Sequence, residues 1–326
     1  MTRVAGLMLA ALAGCASATG RPGPPPMPPP APDSAPGTVL IRWLGCAGFE
    51  VRARGETLVL DPYVSRPSAS GLLFGHLASD PARVAAALPE ASLILIGHSH
   101  FEHLLDAPTL SAQTGAPIFG SRTTCFASSA LSGGRARCRV VQDNLHFDVG
   151  PFSVTAIASR HAETALGGPP LPGELVRPPR WRYPHATELP AGGAWIWVIR
   201  VEGLVLVHLS SAALPDDPAA LRAVVPQGAD VVLASIALRE QTPAYARMLV
   251  AELAPRLIIP HHHDPLVGPL PVLLAARARE DAERFREEAQ PARVEVLEPL
   301  EVFELRPERI RALPSAVLID RAGTAR

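Results

Sequence analysis

The segment Ile96-Gly97-His98-Ser99-His100-Phe101-Glu102-His103 constrains this chain more than any other. Three histidines and a carboxylate fall within six residues, directly after the apolar run Leu93-Ile94-Leu95-Ile96. That run reads as a buried strand, so the polar cluster sits in the loop at its carboxyl end. Imidazole nitrogen and carboxylate oxygen are the donors that Zn²⁺ takes from a protein. Further histidines follow other β-runs: His161 after Phe152 to Ile157, His208 at the end of an apolar run from Leu204, and His261-His262-His263-Asp264 after Leu257 to Pro260. Strand ends along one sheet edge converge in space, so donors far apart in sequence can meet at one site.

The rest of the chain reads as one α/β domain with mixed sheets covered by helices. Val39 to Trp43 and Phe49 to Ala53 form a hairpin, and Thr57 to Leu60 ends at Asp61-Pro62. Asp80-Pro81 is an N-cap followed by proline at the first helical position, opening a helix through Leu88. Trp195 to Val201, Leu204 to His208 and Val231 to Ala234 are strands, Thr242-Pro243 opens a helix that stops at Pro255, residues 271–289 form another, and Val294 to Leu305 offers two final strands. The segment 162–194 is long and rich in Pro and Gly, and carries Arg177, Arg180, Trp181, Arg182 and Tyr183. It is either a lid offering cations and aromatics or a surface excursion. His76, His146 and His185 read as surface or loop residues.

The two ends of the composition bound the function. The 326 residues suffice for a sizeable core, and 30 basic against 31 acidic residues give a formal net charge of -1. Such a balance, with 5% aromatics, argues against a nucleic-acid partner. Arg3, the apolar run Val4 to Leu12 and the sequence Leu12-Ala13-Gly14-Cys15 have the layout of a signal peptide over residues 1–14. The ending resembles the bacterial lipoprotein box, which implies lipidation of Cys15 and a membrane partner through that anchor. Ala16 after the cysteine implies, by the same resemblance, the outer membrane facing the periplasm. Residues 15–37 are then the lipidated cysteine and a Pro-rich spacer, roughly 60 Å long if extended as polyproline II, and residues 38–326 the folded domain. In an oxidising compartment Cys125 and Cys138 are either a disulfide or two inert thiols, and Cys46 reads as buried and unpaired.

Trp43-Leu44-Gly45, Leu60-Asp61-Pro62, His98-x-His100-x-Glu102-His103, His161 and Pro260-His261-His262-His263-Asp264 together resemble the metallo-β-lactamase superfamily, in its lactonase and phospholipase-D-like branch, over roughly residues 38–305. The resemblance implies a four-layer αβ/βα sandwich with two mixed sheets and metal in the cleft at the sheet ends. It implies that His98, His100 and His161 hold a first ion and Glu102, His103 and His262 a second, with Asp61 orienting a ligand histidine. His263 competes with His262 for the ligand role, and His208 reads as a core or supporting histidine.

Two departures from that family pattern bear on chemistry. Glu102 stands where the family usually has Asp, so it ligates differently or serves as a base. Ser211, in His208-Leu209-Ser210-Ser211-Ala212, stands where the bridging Asp is expected. Serine is a poor Zn²⁺ ligand, so one ion, Zn²⁺ or another divalent metal, is expected to be held tightly and a second weakly or not at all. Should a second ion bind, Asp264 or His208 is available to take over the bridge. The expected activity is metal-dependent hydrolysis of a small-molecule ester, lactone or phosphodiester by activated water, with Glu102 as the catalytic residue. A site short of one carboxylate favours an anionic substrate. The alternative is an envelope lipoprotein that binds metal without turnover and serves as a scaffold.

Overall fold

A computed structural model describes residues 31–270 and 274–316. The expected signal peptide, Cys15 and most of the spacer lie outside the described residues. The strands in chain order are β1 (Val39–Gly45), β2 (Gly48–Ala53), β3 (Glu56–Leu60), β4 (Leu93–Leu95), β5 (Ile118–Gly120), β6 (Cys138–Val140), β7 (His146–Val149), β8 (Phe152–Ser159), β9 (Ala194–Val201), β10 (Leu204–Leu209), β11 (Val231–Ser235), β12 (Leu257–His261), β13 (Arg293–Val294) and β14 (Val302–Leu305). They make two seven-stranded sheets, ordered β14-β1-β2-β3-β4-β5-β6 and β13-β12-β11-β10-β9-β8-β7. Each sheet is antiparallel in one half and parallel in the other, with the change at β3 in the first and β10 in the second. The two sheets are thus mixed, as expected.

Alternation along the strands decides the layers. Val39, Ile41 and Trp43 of β1 and Val51 of β2 meet Val154, Trp197, Leu206 and Leu233 of the second sheet in one buried core. The opposite faces pack on helices. Val59, Ile94 and Ile96 lie under Val84, Leu104 and Leu110, while Val207, Val232 and Ile258 lie under Leu221, Leu249 and Phe285. These three cores are the αβ, ββ and βα interfaces of a four-layer sandwich. Arg42, between Ile41 and Trp43, therefore points out of the central core. It is buried beneath the helix Pro81–Ala87, where its Nη2 donates to Ala87 O at 2.6 Å and its Nε lies 2.7 Å from Glu50. A buried charge is tolerated only when paired in this way.

Local signals account for several elements. Asp80 accepts from Ala82 N–H and Arg83 N–H and caps the helix that Pro81 opens. The helix expected from Thr242 starts at Tyr245 and ends at Leu253, one residue before the left-handed Ala254. The helix expected over 271–289 spans Ala276–Glu288, and residues 271–273 lie outside the description. The two final strands expected in Val294 to Leu305 are β13 and β14, in different sheets. β13 joins the second sheet beside β12, and β14 crosses to the first sheet beside β1. The short strands β5 and β6 follow no strong apolar alternation and were invisible to the periodicity argument. Cys125, on the helix Arg122–Ser132, is disulfide-bonded to Cys138 of β6, and Cys46 is free and buried. Residues 31–37 form no helix or strand, yet Ala31 is buried and Asp33 lies 3.3 Å from Arg52. Among the described residues no helix is long and apolar enough to cross a membrane.

Candidate metal centre

All the singled-out histidine loops except that of the surface residues emerge at one edge of the sandwich. Asp61 follows β3, His98 follows β4, His161 follows β8, Ser210 and Ser211 follow β10, and His262 follows β12. His98, Ser99 and His100 alternate like strand residues. Ser99 faces away: its hydroxyl lies 2.9 Å from Thr124 Oγ1, and its N–H donates to Ala191 O at 2.8 Å. Both neighbours consequently face the site. The chain then turns into the short helix Phe101–Leu104, which presents Glu102 and His103. Gly97 is required by close approach. A Cβ there would lie 2.1 Å from Ser210 Oγ and 3.1 Å from Asp61 Oδ2.

One group brings ligand atoms of His98, His100 and His161 within 4.8 Å of one another, and another does so for His98, Glu102 and His103. Each ring is held from outside by its other nitrogen, and the tautomer follows from that partner. His103 Nδ1–H donates to Asp61 Oδ2 at 2.9 Å, leaving Nε2 inward. His161 Nδ1–H donates to Ala162 O at 2.7 Å, again leaving Nε2. His100 Nε2 faces Leu171 O at 3.5 Å, leaving Nδ1, and His98 Nδ1 meets Ser210 Oγ at 3.2 Å, leaving Nε2. The inward atoms face one another: His98 Nε2 lies 3.1 Å from His100 Nδ1, and His103 Nε2 lies 3.3 Å from His262 Nε2. Glu102 Oε1 is 3.9 Å from His103 Nε2 and 4.0 Å from His100 Nδ1.

The electrostatics agree with metal binding. Burial pushes His100 and His161 down to about 4, and burial together with neighbouring rings holds His98 and His103 well below the ordinary imidazole range. The rings are neutral at pH 7, as ligation requires. Burial raises the Glu102 carboxyl, opposed by His262. Glu102 Oε2 is buried without a hydrogen-bond partner among the described residues. Lone pairs of neutral rings directed at one another, beside an unpartnered carboxylate oxygen, make an arrangement that a divalent cation satisfies. The residues present fit such an ion.

The remaining predicted residues have other surroundings. Asp61 Oδ1 accepts Gly97 N–H at 2.7 Å, so this carboxylate fixes both the loop and His103. Asp264 is spent on structure, because Oδ1 accepts Cys46 N–H at 2.8 Å and Oδ2 is paired with Arg66 at 2.5 Å. His263 stacks on Trp43 with centroids 4.9 Å apart. His208 is buried in a stack with His261, and its Nε2 donates to Ala47 O at 3.0 Å. Ser211 Oγ accepts Ala162 N–H at 2.9 Å and so braces the turn beside His161. Ser210, which supports His98, went unnoticed in the sequence. Its one available signal was its position at the end of β10.

A cavity of about 490 Å³ opens over His100, Glu102, His161 and His262. From the long connection, Thr164 and residues 166–172 line it, whereas Arg177, Arg180, Trp181, Arg182 and Tyr183 do not.

Fold and site together define a metal-dependent hydrolase of the metallo-β-lactamase class. The family model described as "Beta-lactamase superfamily domain" matches residues 40–262, and the chain belongs to this family. A relative in Anaeromyxobacter dehalogenans (strain 2CP-1), named a UPF0173 metal-dependent hydrolase, is 27% identical over 276 residues, covering 82% of this chain and 86% of its own. Among solved structures, a metallo hydrolase from the archaeon Ignicoccus hospitalis is 17% identical with a TM-score of 0.53, covering 82% of this chain and 98% of its own. The diiron β-hydroxylase CmlA of Streptomyces venezuelae is 16% identical with a TM-score of 0.52, over 85% of this chain and 55% of its own. These two likenesses are of fold.

Proposed function

We propose that this protein is a Zn²⁺-dependent hydrolase of an ester, lactone or phosphodiester, held at the bacterial envelope by lipid on Cys15. The observation that carries the catalytic part is the mutual inward aim of five imidazoles, three of them lining the cavity, with four fixed by an outward hydrogen bond. His98, His100 and His161 would hold the tighter ion, and Glu102, His103 and His262 a weaker one. A divalent cation there supplies Lewis acidity and acidifies bound water.

The chain's own groups do the rest. Asp61 and Ser210 fix the rings of His103 and His98, so the donor set is rigid before substrate arrives. Glu102, with its carboxyl raised by burial, is a stronger base than an exposed glutamate and is positioned to orient or deprotonate the attacking water. The hydroxyl at Ser211 in place of a carboxylate leaves the site one negative charge short. That favours negative charge developing on the substrate at the reacting centre.

Metal analysis of protein purified without added metal, followed by an esterase, lactonase and phosphodiesterase screen, tests this reading. About one Zn²⁺ per chain with turnover in one arm is expected. Bound metal with no turnover in any arm would instead make the chain a metal-binding scaffold. For the anchor, intact mass of the membrane fraction should show acylation at Cys15 and loss of residues 1–14. A Cys15→Ser protein that still carries acyl mass would overturn that part.

A further inference from the structure

The cavity above the histidines has a different character from its floor. Leu166, Pro170, Leu171, Ala237, Leu238 and Leu266 are among its lining residues. No arginine is among the residues lining it. Leu166 is 72% exposed, a large apolar side chain left uncovered where the site opens. A single wall residue carries an unsatisfied polar atom: Ser235, at the end of β11, is 1% exposed, and its hydroxyl has no hydrogen-bond partner among the described residues. A buried hydroxyl left unpaired is costly, and a bound group that accepts from it removes the cost.

We propose that the substrate is a carboxylic ester or lactone with an uncharged apolar arm. The arm lies between Leu166, Leu171 and Leu238, and Ser235 Oγ–H donates to an oxygen of the substrate. The choice of an ester rests on the hydrolase reading, whereas the apolar arm rests on the cavity alone. An anionic arm would be desolvated against leucine and proline with no arginine or lysine in the lining to pair with it, and the carboxylate of Asp264 on the lining is already paired with Arg66. In the reaction, water oxygen bonds to the carbonyl carbon and the bond from that carbon to the alkoxy oxygen breaks. One water proton ends on the alcohol, and the other is released with the carboxylate. Negative charge thus develops at the floor, where His100, His161 and His262 would hold a cation, and none on the arm.

Methyl ketones test the arm without turnover, because their carbonyl accepts a hydrogen bond and cannot be hydrolysed. Calorimetric binding of 2-hexanone, 2-octanone and 2-decanone to the metal-loaded protein should tighten by about fourfold per added methylene until the cavity is full. An arm ending in a charge, as in 9-oxodecanoate, should bind at least about tenfold more weakly than 2-decanone. Leu238→Gln should flatten the chain-length dependence with metal content unchanged. Ser235→Ala should weaken every ketone about three- to tenfold, with unchanged chain-length dependence and metal content and a melting temperature at or above that of wild type. Affinity independent of chain length, or 9-oxodecanoate binding as tightly as 2-decanone, overturns the arm. Ketone affinity unaltered by Ser235→Ala overturns the role of Ser235. Chain-length-dependent binding without hydrolysis of the matching esters leaves the arm standing and removes the hydrolase reading. Hydrolysis of short acetates with no chain-length dependence does the reverse.

Discussion

Two segments of this chain carry three histidines each, and they behave differently. In His98-Ser99-His100-Phe101-Glu102-His103, all three rings reach the site, and their inward nitrogens are set by Ser210, Leu171 and Asp61 on the far side of each ring. In His261-His262-His263, one ring of three arrives. His261 is buried at the end of β12 against Phe49 and His208, His263 stacks on Trp43, and His262 alone meets His103. The first segment leaves its strand through an alternating loop and a helical turn, which returns donors to one side. The second turns at His262 with φ +65°, pinned by His262 N–H donating to Cys46 O at 3.0 Å, so successive rings fan apart. Histidine content therefore does not measure ligand count. Aim does, and backbone direction sets aim.

That contrast can be broken by substitution. The largest effect is expected for His100→Ala, which removes an inward Nδ1 of the first group and should cost on the order of 100-fold or more in metal affinity. His263→Ala should leave metal content near wild type. Elemental analysis of the two proteins side by side checks the pair, and equal losses would erase the distinction between the segments. Asp61→Asn comes next, at about 10- to 100-fold in metal affinity, because it weakens the support of His103 Nδ1–H. Competition with a chelator reads that out.

A smaller effect concerns the histidine that serves the core. Burial holds His208 down to about 4, below its unfolded value of ~6.5. Between those values the unfolded chain binds more protons than the folded one, so stability is full above about pH 6.5 and falls as pH drops toward 4. By pH 5.5 this one group should cost roughly tenfold in the folding equilibrium. Denaturant unfolding in chelator at pH 7.5 and 5.5 should show that much less acid loss in His208→Leu than in wild type. An identical loss would mean that His208 is not buried neutral. The smallest change expected is stoichiometric. Ser211→Asp should raise bound metal from about one toward about two per chain, because a carboxylate offsets the repulsion between two nearby dications. Two tightly bound ions in wild type, unaffected by Ser211→Asp, would show that the second group needs no carboxylate at 211.

Much of the sandwich was legible because long apolar runs with turn signals name their own strands. The hairpin of β1 and β2, the run into Asp61 and the strand before His98 are of this kind. β5 and β6 are three residues each and gain their place from parallel pairing to β4 and to each other, which no local pattern announces. β14 follows β13 in the chain but pairs with β1 in the other sheet, a partner distant in the chain that no local pattern names. The arginines and aromatics of the long connection are its most conspicuous residues in sequence, yet its contribution to the cavity lining is Thr164 with Leu, Pro and Gly residues of 166–172.

The sequence by itself determined the donor chemistry of this protein and the strands that deliver it. Those are properties of residue type and short-range period, and they survive without knowledge of neighbours. The tertiary structure alone decided where His261 and His263 go, that Ser210 supports His98, that Asp264 belongs to Arg66 and Cys46, and that Ser235, unpartnered among the described residues, lines the cavity. Each of these depends on a local φ angle or on contact between segments distant in the chain. Side-chain aim is fixed by the backbone that carries it and by the packing that closes around it.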